Sequence, residues 1–168
     1  MAISMYTASV PVFAQYLTSL SVVLKKAAEH CAAKKIEPSV LIGARLYPNM
    51  FALARQVQIA TDHAKGATAR LSGSEVPSFA DTEASFDELQ ARIAKTLDYI
   101  QSFKPQQIDG SDDKDLVLKI GGKDYPFKGA DYLLHFALPN FFFHLTTAYA
   151  ILRHNGVEVG KRDFIGGK

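Results

Sequence analysis

Apolar and polar positions recur at three- and four-residue intervals along residues 129–155, which is the pattern of a helix with one buried face. The positions that share this face are apolar at both ends of the stretch and polar in its middle, where Asn140 and His144 lie. Because residues four apart are neighbours on a helix, both side chains are expected to point into whatever the helix packs against. Pro139 lacks a backbone donor, which predicts a kink and a freed carbonyl at His135.

Three further long helices are predicted by the same periodicity. In chain order they cover about 10–34, 48–71 and 85–104. Each has an apolar stripe that is typical of a helix in a bundle. The third begins with Ser85 and has Glu88 three residues later, which is the capping-box signature of a helix start.

A polar stripe accompanies the apolar one on the second predicted helix. It consists of residues at intervals of seven, namely Asn49, Gln56 and His63. Polar groups on the inward faces of a bundle are the usual material of its ligand and metal sites. The candidate residues for a ligand pocket between the second and last helices are therefore Gln56, His63, Asn140 and His144.

A structural role is also available to each of these candidates. His144 is then a core histidine with a hydrogen-bond partner. Asn140 then hydrogen-bonds the backbone group that Pro139 leaves without a helical partner. Gln56 is the partner of Asn140 across the interface between the helices. His63 follows an aspartate and is expected to be a surface residue. The residues alone leave both interpretations open.

The apolar period changes to two over 116–127, which predicts a short β-hairpin between the third and fourth long helices. Gly121–Gly122 supplies the turn, and Pro126 restricts its strand to an edge position. An isolated hairpin is marginally stable, so this one is expected to pack across the bundle. The polar stretch 105–115 is expected to be a solvated loop. The tail 157–168 is expected to lie over the surface or against a neighbouring subunit.

The bulk properties fit one globular domain spanning residues 1–168, of the all-α class. A hydrophobic fraction of 48% and a net charge of +2 give no reason to expect a nucleic-acid partner. No run of about eighteen apolar residues occurs, so no membrane span is predicted. Cys31 is the only cysteine and is expected to be a buried structural thiol. Because it cannot form an internal disulfide, we expect a reducing compartment and a cytoplasmic protein.

The candidate residues belong to longer sequence motifs. Asn140-x-x-x-His144 is followed by Leu152-Arg153-x-Asn155-Gly156. Four more motifs are Met5-Tyr6-x-x-Ser9-Val10-Pro11, Arg55-Gln56-Val57-Gln58-Ile59-Ala60, Phe136-Ala137-Leu138-Pro139-Asn140-Phe141 and Gly160-Lys161-Arg162-Asp163. Together these motifs resemble the DinB/YfiT-like superfamily of metalloenzymes, and most nearly an uncharacterised bacterial branch of it. The resemblance covers essentially the whole chain and implies a DinB-like four-helix bundle.

The resemblance also implies a metal site that has lost ligands. His144 falls where the superfamily has the second histidine of a His-x-x-x-His pair, whereas Asn140 replaces the first. Gln56 takes the place of a third histidine on the second helix. His144 would be the one strong ligand, completed by Gln56 and Asn140 only if a metal such as zinc or nickel binds at all. The superfamily's activity, where known, is metal-assisted thiol transfer or isomerisation with a low-molecular-weight thiol.

Three functions are consistent with the sequence. The first is a small-molecule binding or interaction module with a degenerate metal site and no expected cofactor, which dimerises through its phenylalanine-rich last helix. The second is a divalent-metal-dependent enzyme, a thiol transferase or isomerase, that holds its ion through Gln56, Asn140 and His144 with water. The third is a structural or regulatory homodimer that has no ligand and no pocket between the second and last helices.

Overall fold

Four long helices pack side by side in the computed structural model, which describes residues 3–166. The elements in chain order are α1 (Val10–Lys34), α2 (Pro38–Ile42), α3 (Leu53–Ser72), α4 (Phe86–Gln101), α5 (Pro105–Ile108), β1 (Asp115–Ile120), β2 (Lys123–Lys128), α6 (Gly129–Asp131), a π-helical segment (Tyr132–Ala137), α7 (Leu138–His154) and α8 (Lys161–Ile165). The last long helix consists of α6, the π-helical segment and α7 in succession. The predicted all-α bundle with one late hairpin is confirmed.

The bundle core forms where the apolar stripes of the helices meet. α3 packs against both α4 and α7, and α1 closes the bundle through contacts with α4 and α7. Small residues on α3, among them Ala60, Ala64 and Ala67, are fully buried and permit a close approach of the neighbouring helices. Phe13 of α1 meets Phe141 of α7 edge to face, with ring centroids 5.0 Å apart.

The start of α3 differs from the prediction, which placed it near residue 48. The chain makes a turn at 47–50 and is extended at Ala52, so the helix begins only at Leu53. The backbone N–H of Leu53 donates to the carbonyl of Ala44 at 2.9 Å. This contact with an earlier part of the chain fixes the helix start, and a local apolar pattern does not reveal it. Asn49 is exposed and lies outside the helix, so it is not part of the polar stripe.

The prediction of a solvated loop over 105–115 is wrong in its first part. Residues Pro105–Ile108 form the short helix α5, and the Ile108 side chain is fully buried. Pro105 occupies the first helical position, where its missing N–H removes no helical hydrogen bond. The burial of one isoleucine in a polar stretch anchors the connection between α4 and the hairpin.

The hairpin has the predicted strands and packs on the bundle through one face. Leu116 and Leu118 are buried, whereas Val117 between them is exposed and pairs with Pro126. Gly129 follows β2 at a very close backbone approach, because a Cβ at this position would lie 1.8 Å from the Ser111 carbonyl oxygen. Only glycine fits where the last helix begins.

The break expected from Pro139 takes the form of the π-helical segment just before it. The tail lies over the surface of its own bundle. Val157 and Val159 are buried, and α8 packs against α1, where Lys26 Nζ and Asp163 Oδ1 are 2.7 Å apart. Residues 167–168 of the predicted tail lie outside the described residues. Cys31 is 1% exposed, as expected of a structural thiol, and burial raises its pKa. Over residues 3–166, none of the helices is long and apolar enough to cross a membrane.

Candidate functional site

Gln56 of α3 and His144 of the last helix are in direct contact across the line where the two helices meet, and the surface along this line is called the groove. His144 Nδ1 and Gln56 Oε1 are 2.7 Å apart. Gln56 is 1% exposed, whereas His144 is partly exposed. The predicted proximity of these two residues is therefore present, although the predicted partner of Gln56 was Asn140.

The other hydrogen bond of the Gln56 side chain determines which ring nitrogen of His144 carries the hydrogen. Gln56 Nε2 donates to the carbonyl oxygen of Phe51 at 3.0 Å, so the amide oxygen must face the imidazole. An amide oxygen only accepts, so His144 Nδ1 must be the donor. Burial lowers the pKa of His144, and the positive charge of Arg55 lowers it further. The neutral ring therefore has its hydrogen on Nδ1 and an unprotonated Nε2.

His63 lies beside His144 and is not the surface residue that its neighbouring aspartate suggested. The two imidazole rings are nearly parallel, with centroids 6.0 Å apart, and the Phe136 ring centroid lies 5.9 Å from that of His63. Burial is the largest cause that lowers the pKa of His63 to about 4, and the neighbouring His144 acts in the same direction. Both histidines are therefore neutral at pH 7, which places two uncharged imidazoles side by side.

Asn140 serves the helix backbone, as the structural interpretation expected. Its Nδ2 donates to the carbonyl oxygen of Phe136 at 2.7 Å. Phe136 lies in the π-helical segment, where the proline at position 139 disturbs the regular bonding. Asn140 therefore stabilises the helix next to the groove, and its amide nitrogen is engaged.

A row of aromatic rings extends along the groove from the hairpin to α7. Neighbouring ring centroids lie 5.2–6.0 Å apart. The row consists of Phe127, Tyr132, Phe136, His63, His144 and Phe143. Sequence reasoning found the two histidines of this row and missed the other members, because they come from three different elements that only the fold brings together.

Two arginines of α3 lie near the histidines and were also missed. Arg55 is near His144 and forms an ion pair with Asp81. Arg70 is near His63 and donates through Nη1 to the Tyr132 hydroxyl at 3.1 Å. Arg70 continues the polar stripe at the next interval of seven after His63, so the sequence did contain a signal for it.

Four concave regions of the surface lie among residues 3–166, and none of them is lined by Gln56, His63, Asn140 or His144. Two of the four lie against α4 and against residues 3–8. One, of about 320 Å³, is lined in part by Phe79 and Arg92. The charge of Arg92 is already balanced there, since its Nη1 lies 3.0 Å from Glu83 Oε1. The other, of about 610 Å³, is lined in part by Met5 and Asp109. Neither region contains a residue predicted from the sequence.

The donor atoms of the groove do not fit the metal set that the resemblance implies. His144 Nε2 remains free to bind a metal, but Gln56 Oε1 could join it only by giving up the hydrogen bond that it accepts from His144 Nδ1. Asn140 has an amide oxygen, which is a weak ligand for zinc or nickel. Among residues 3–166, no group of three or more His, Cys, Asp or Glu side chains is placed to hold a metal ion. Two neutral imidazoles with flanking arginines are the chemistry present.

Comparisons with known proteins agree with this fold. The family model described as "Domain of unknown function (DUF1993)" matches residues 5–165. A crystal structure of a DinB family member protein from Shewanella denitrificans is similar over 97% of this chain and 92% of that chain. Its identity is 38% and its TM-score 0.88. No curated protein matches the chain. The chain therefore belongs to the DUF1993 family of DinB-like proteins.

Proposed function

We propose that this protein is a small-molecule binding module whose ligand lies in the groove between α3 and the last helix, at a degenerate metal site. The observation that carries the proposal is the hydrogen bond between His144 Nδ1 and Gln56 Oε1. It leaves Nε2 of a partly exposed ring as a hydrogen-bond acceptor without a partner among residues 3–166. A neutral acceptor at the edge of an aromatic groove is suited to a ligand that donates a hydrogen bond.

The chemistry around His144 indicates what such a ligand would look like. The neighbouring groups are aromatic rings and the neutral imidazole of His63, which offer flat apolar contact. Ligand sites commonly combine apolar walls with a few polar groups that fix orientation. The ligand would therefore be flat and largely apolar, with a donor group directed at Nε2.

The test combines metal loading with a ligand screen on the untagged protein. The protein is dialysed against zinc, nickel and manganese in turn, and bound metal is measured by elemental analysis. A library of small aromatic compounds is then screened by the histidine ring signals in NMR spectra. We expect no stoichiometric metal under any loading. We also expect some compounds to bind wild type and the His154→Ala control but not His144→Ala.

The rival function is the divalent-metal-dependent enzyme. It predicts close to one ion per chain, lost on His144→Ala while the protein stays folded. That result would overturn the proposal and direct the search to thiol substrates. A large loss of stability in His144→Ala, with no ligand found for wild type, would instead favour a purely structural role.

We also propose that the protein forms a homodimer, through a smaller apolar surface than the run Phe141–Phe143 as a whole. Phe141 is fully buried and Phe142 packs against Tyr16, so only Phe143 of this run is exposed, at 56%. Phe51, at 54% exposed, lies at the same end of the groove, next to Gln56. Light scattering at micromolar concentration should show a dimer, and Phe143→Ser should weaken it. A wild-type monomer would remove this proposal.

A further inference from the structure

Arg70 differs from Arg55 and Arg92, the other arginines of α3 and α4, in having no acidic partner. Arg55 pairs with Asp81, and Arg92 lies within ion-pair distance of three carboxylates. Arg70 instead bonds the neutral hydroxyl of Tyr132, and no carboxylate among residues 3–166 is within 4.0 Å of its guanidinium nitrogens. A partly buried cation without a counter-ion is costly, because one hydrogen bond to a neutral hydroxyl replaces only part of the hydration that burial removes.

Gly66 provides the space in which the guanidinium lies. A Cβ at this position would be 2.6 Å from Arg70 Nη1 and 3.7 Å from Arg70 Cζ, and among residues 3–166 it would meet nothing else within 4 Å beyond its chain neighbours and the adjacent helix backbone. Glycine is unfavourable in a helix interior compared with alanine. The steric role of this buried glycine is therefore to hold the Arg70 head group against α3.

The direction of the Arg70 side chain places its charge along the row of rings. From its own position it reaches back past Gly66, one turn towards His63, and its charge helps to lower the pKa of that imidazole. The guanidinium carbon is 5.9 Å from the centre of the Tyr132 ring, and Tyr132 continues the row through Phe136. One N–H of five is used on the tyrosine hydroxyl, so several donors remain.

We propose that Arg70 is the oxyanion-binding residue of this groove and that the ligand is a flat apolar molecule bearing a carboxylate. Resting on the proposed function, this assigns the chemical class of the ligand at the same site. The planar guanidinium matches a carboxylate through two parallel hydrogen bonds, which a lysine cannot reproduce. The partly exposed rings of Phe136, His63 and His144 supply the contact surface for the apolar body, whereas Tyr132 is buried. Tyr132 orients the guanidinium through the hydrogen bond that its hydroxyl accepts from Arg70 Nη1.

The experiment compares two probes of similar shape, one an anion and the other a neutral amide. Benzoate and its neutral analogue benzamide are titrated into wild type and variants, and binding is followed through the ring signals of His63 and His144. Wild type should bind benzoate at least about tenfold more tightly than benzamide, the size expected of a charged hydrogen bond. Arg70→Gln should abolish this preference, and Arg70→Lys should restore only part of it.

A second variant keeps the proposal testable if Arg70→Gln does not fold. Gly66→Ala leaves the arginine in place but pushes its head group aside, while alanine favours the helix. This variant should lose most of the preference for benzoate and remain as stable as wild type. Arg153→Gln, at an exposed position, is the matched control and should bind as wild type does.

The outcomes separate this inference from the function on which it rests. Equal binding of benzoate and benzamide by wild type would overturn the role of Arg70 while the ligand groove stands. The same holds if Arg70→Gln keeps the preference. If phenyl phosphate binds wild type more tightly than benzoate does, and Arg70→Gln removes this difference, the ligand carries a phosphate and the assignment of a carboxylate is wrong. No change in either ring with any probe at millimolar concentration would overturn both proposals.

Discussion

The burial of His63 predicts that the fold is sensitive to mild acid. The pKa of His63 is lowered from 6.5 to about 4, first by burial and then by His144. The unfolded chain therefore takes up a proton near pH 6.5, whereas the folded chain does so only near pH 4. The free energy of unfolding should be insensitive to His63 above about pH 7 and fall as the pH is lowered through this window. The loss from pH 7 to pH 5 is about 2 kcal/mol, and complete titration would cost about 3 kcal/mol.

Urea unfolding followed by circular dichroism at pH 7 and pH 5 measures this loss. His63→Gln removes the titrating ring, so its stability should fall by about 2 kcal/mol less than that of wild type. His154→Gln, at an exposed position, is the matched control and should follow wild type. If wild type and His63→Gln lose the same amount of stability between the two pH values, the ring is not buried in its neutral form and the reasoning fails.

Three further substitutions test parts of the fold by the same unfolding assay. Gly129→Ala places a Cβ 1.8 Å from the Ser111 carbonyl oxygen and should lower the free energy of unfolding by about 3 kcal/mol. Gly160→Ala is the control and should cost little, because its Cβ meets nothing within 4 Å. Equal losses in the two variants would contradict the close approach at Gly129. Arg92→Met removes a buried cation from its carboxylates and should destabilise the fold by about 3 to 5 kcal/mol. An unchanged free energy of unfolding would show that Arg92 does not form these ion pairs. Ser85→Ala removes one half of the capping box and should cost about 1 kcal/mol, and no loss would mean that the cap contributes nothing.

Local sequence signals predicted the elements whose ends depend on local contacts. The start of α4 was found because Ser85 and Glu88 bond each other's backbone N–H groups, at 3.2 and 3.0 Å. The hairpin was found because alternating residues flank a pair of glycines. The start of α3 was missed because Leu53 bonds Ala44, a residue outside the helix. Tertiary hydrogen bonds of this kind leave no periodic trace in the chain.

The candidate site was also predictable only where it depends on helix periodicity. Helix periodicity placed Gln56 and His144 on facing surfaces, and the fold joins them by a hydrogen bond. The burial of His63 was missed because Phe136, from another helix, covers its ring. Arg70 was missed although it continues the stripe of sevens, since a charged residue near a helix end is usually a solvated one. Its lack of an acidic partner can be recognised only in three dimensions.

The hydrogen on the His144 ring tests the central claim most directly. Long-range proton–nitrogen NMR spectra of the histidine side chains distinguish the two neutral forms of imidazole from the charged one. At pH 7 we expect a neutral ring with its hydrogen on Nδ1, and this preference should disappear in Gln56→Leu. A hydrogen on Nε2, or a charged ring, would contradict this expectation and remove the free acceptor on which the proposed ligand site depends.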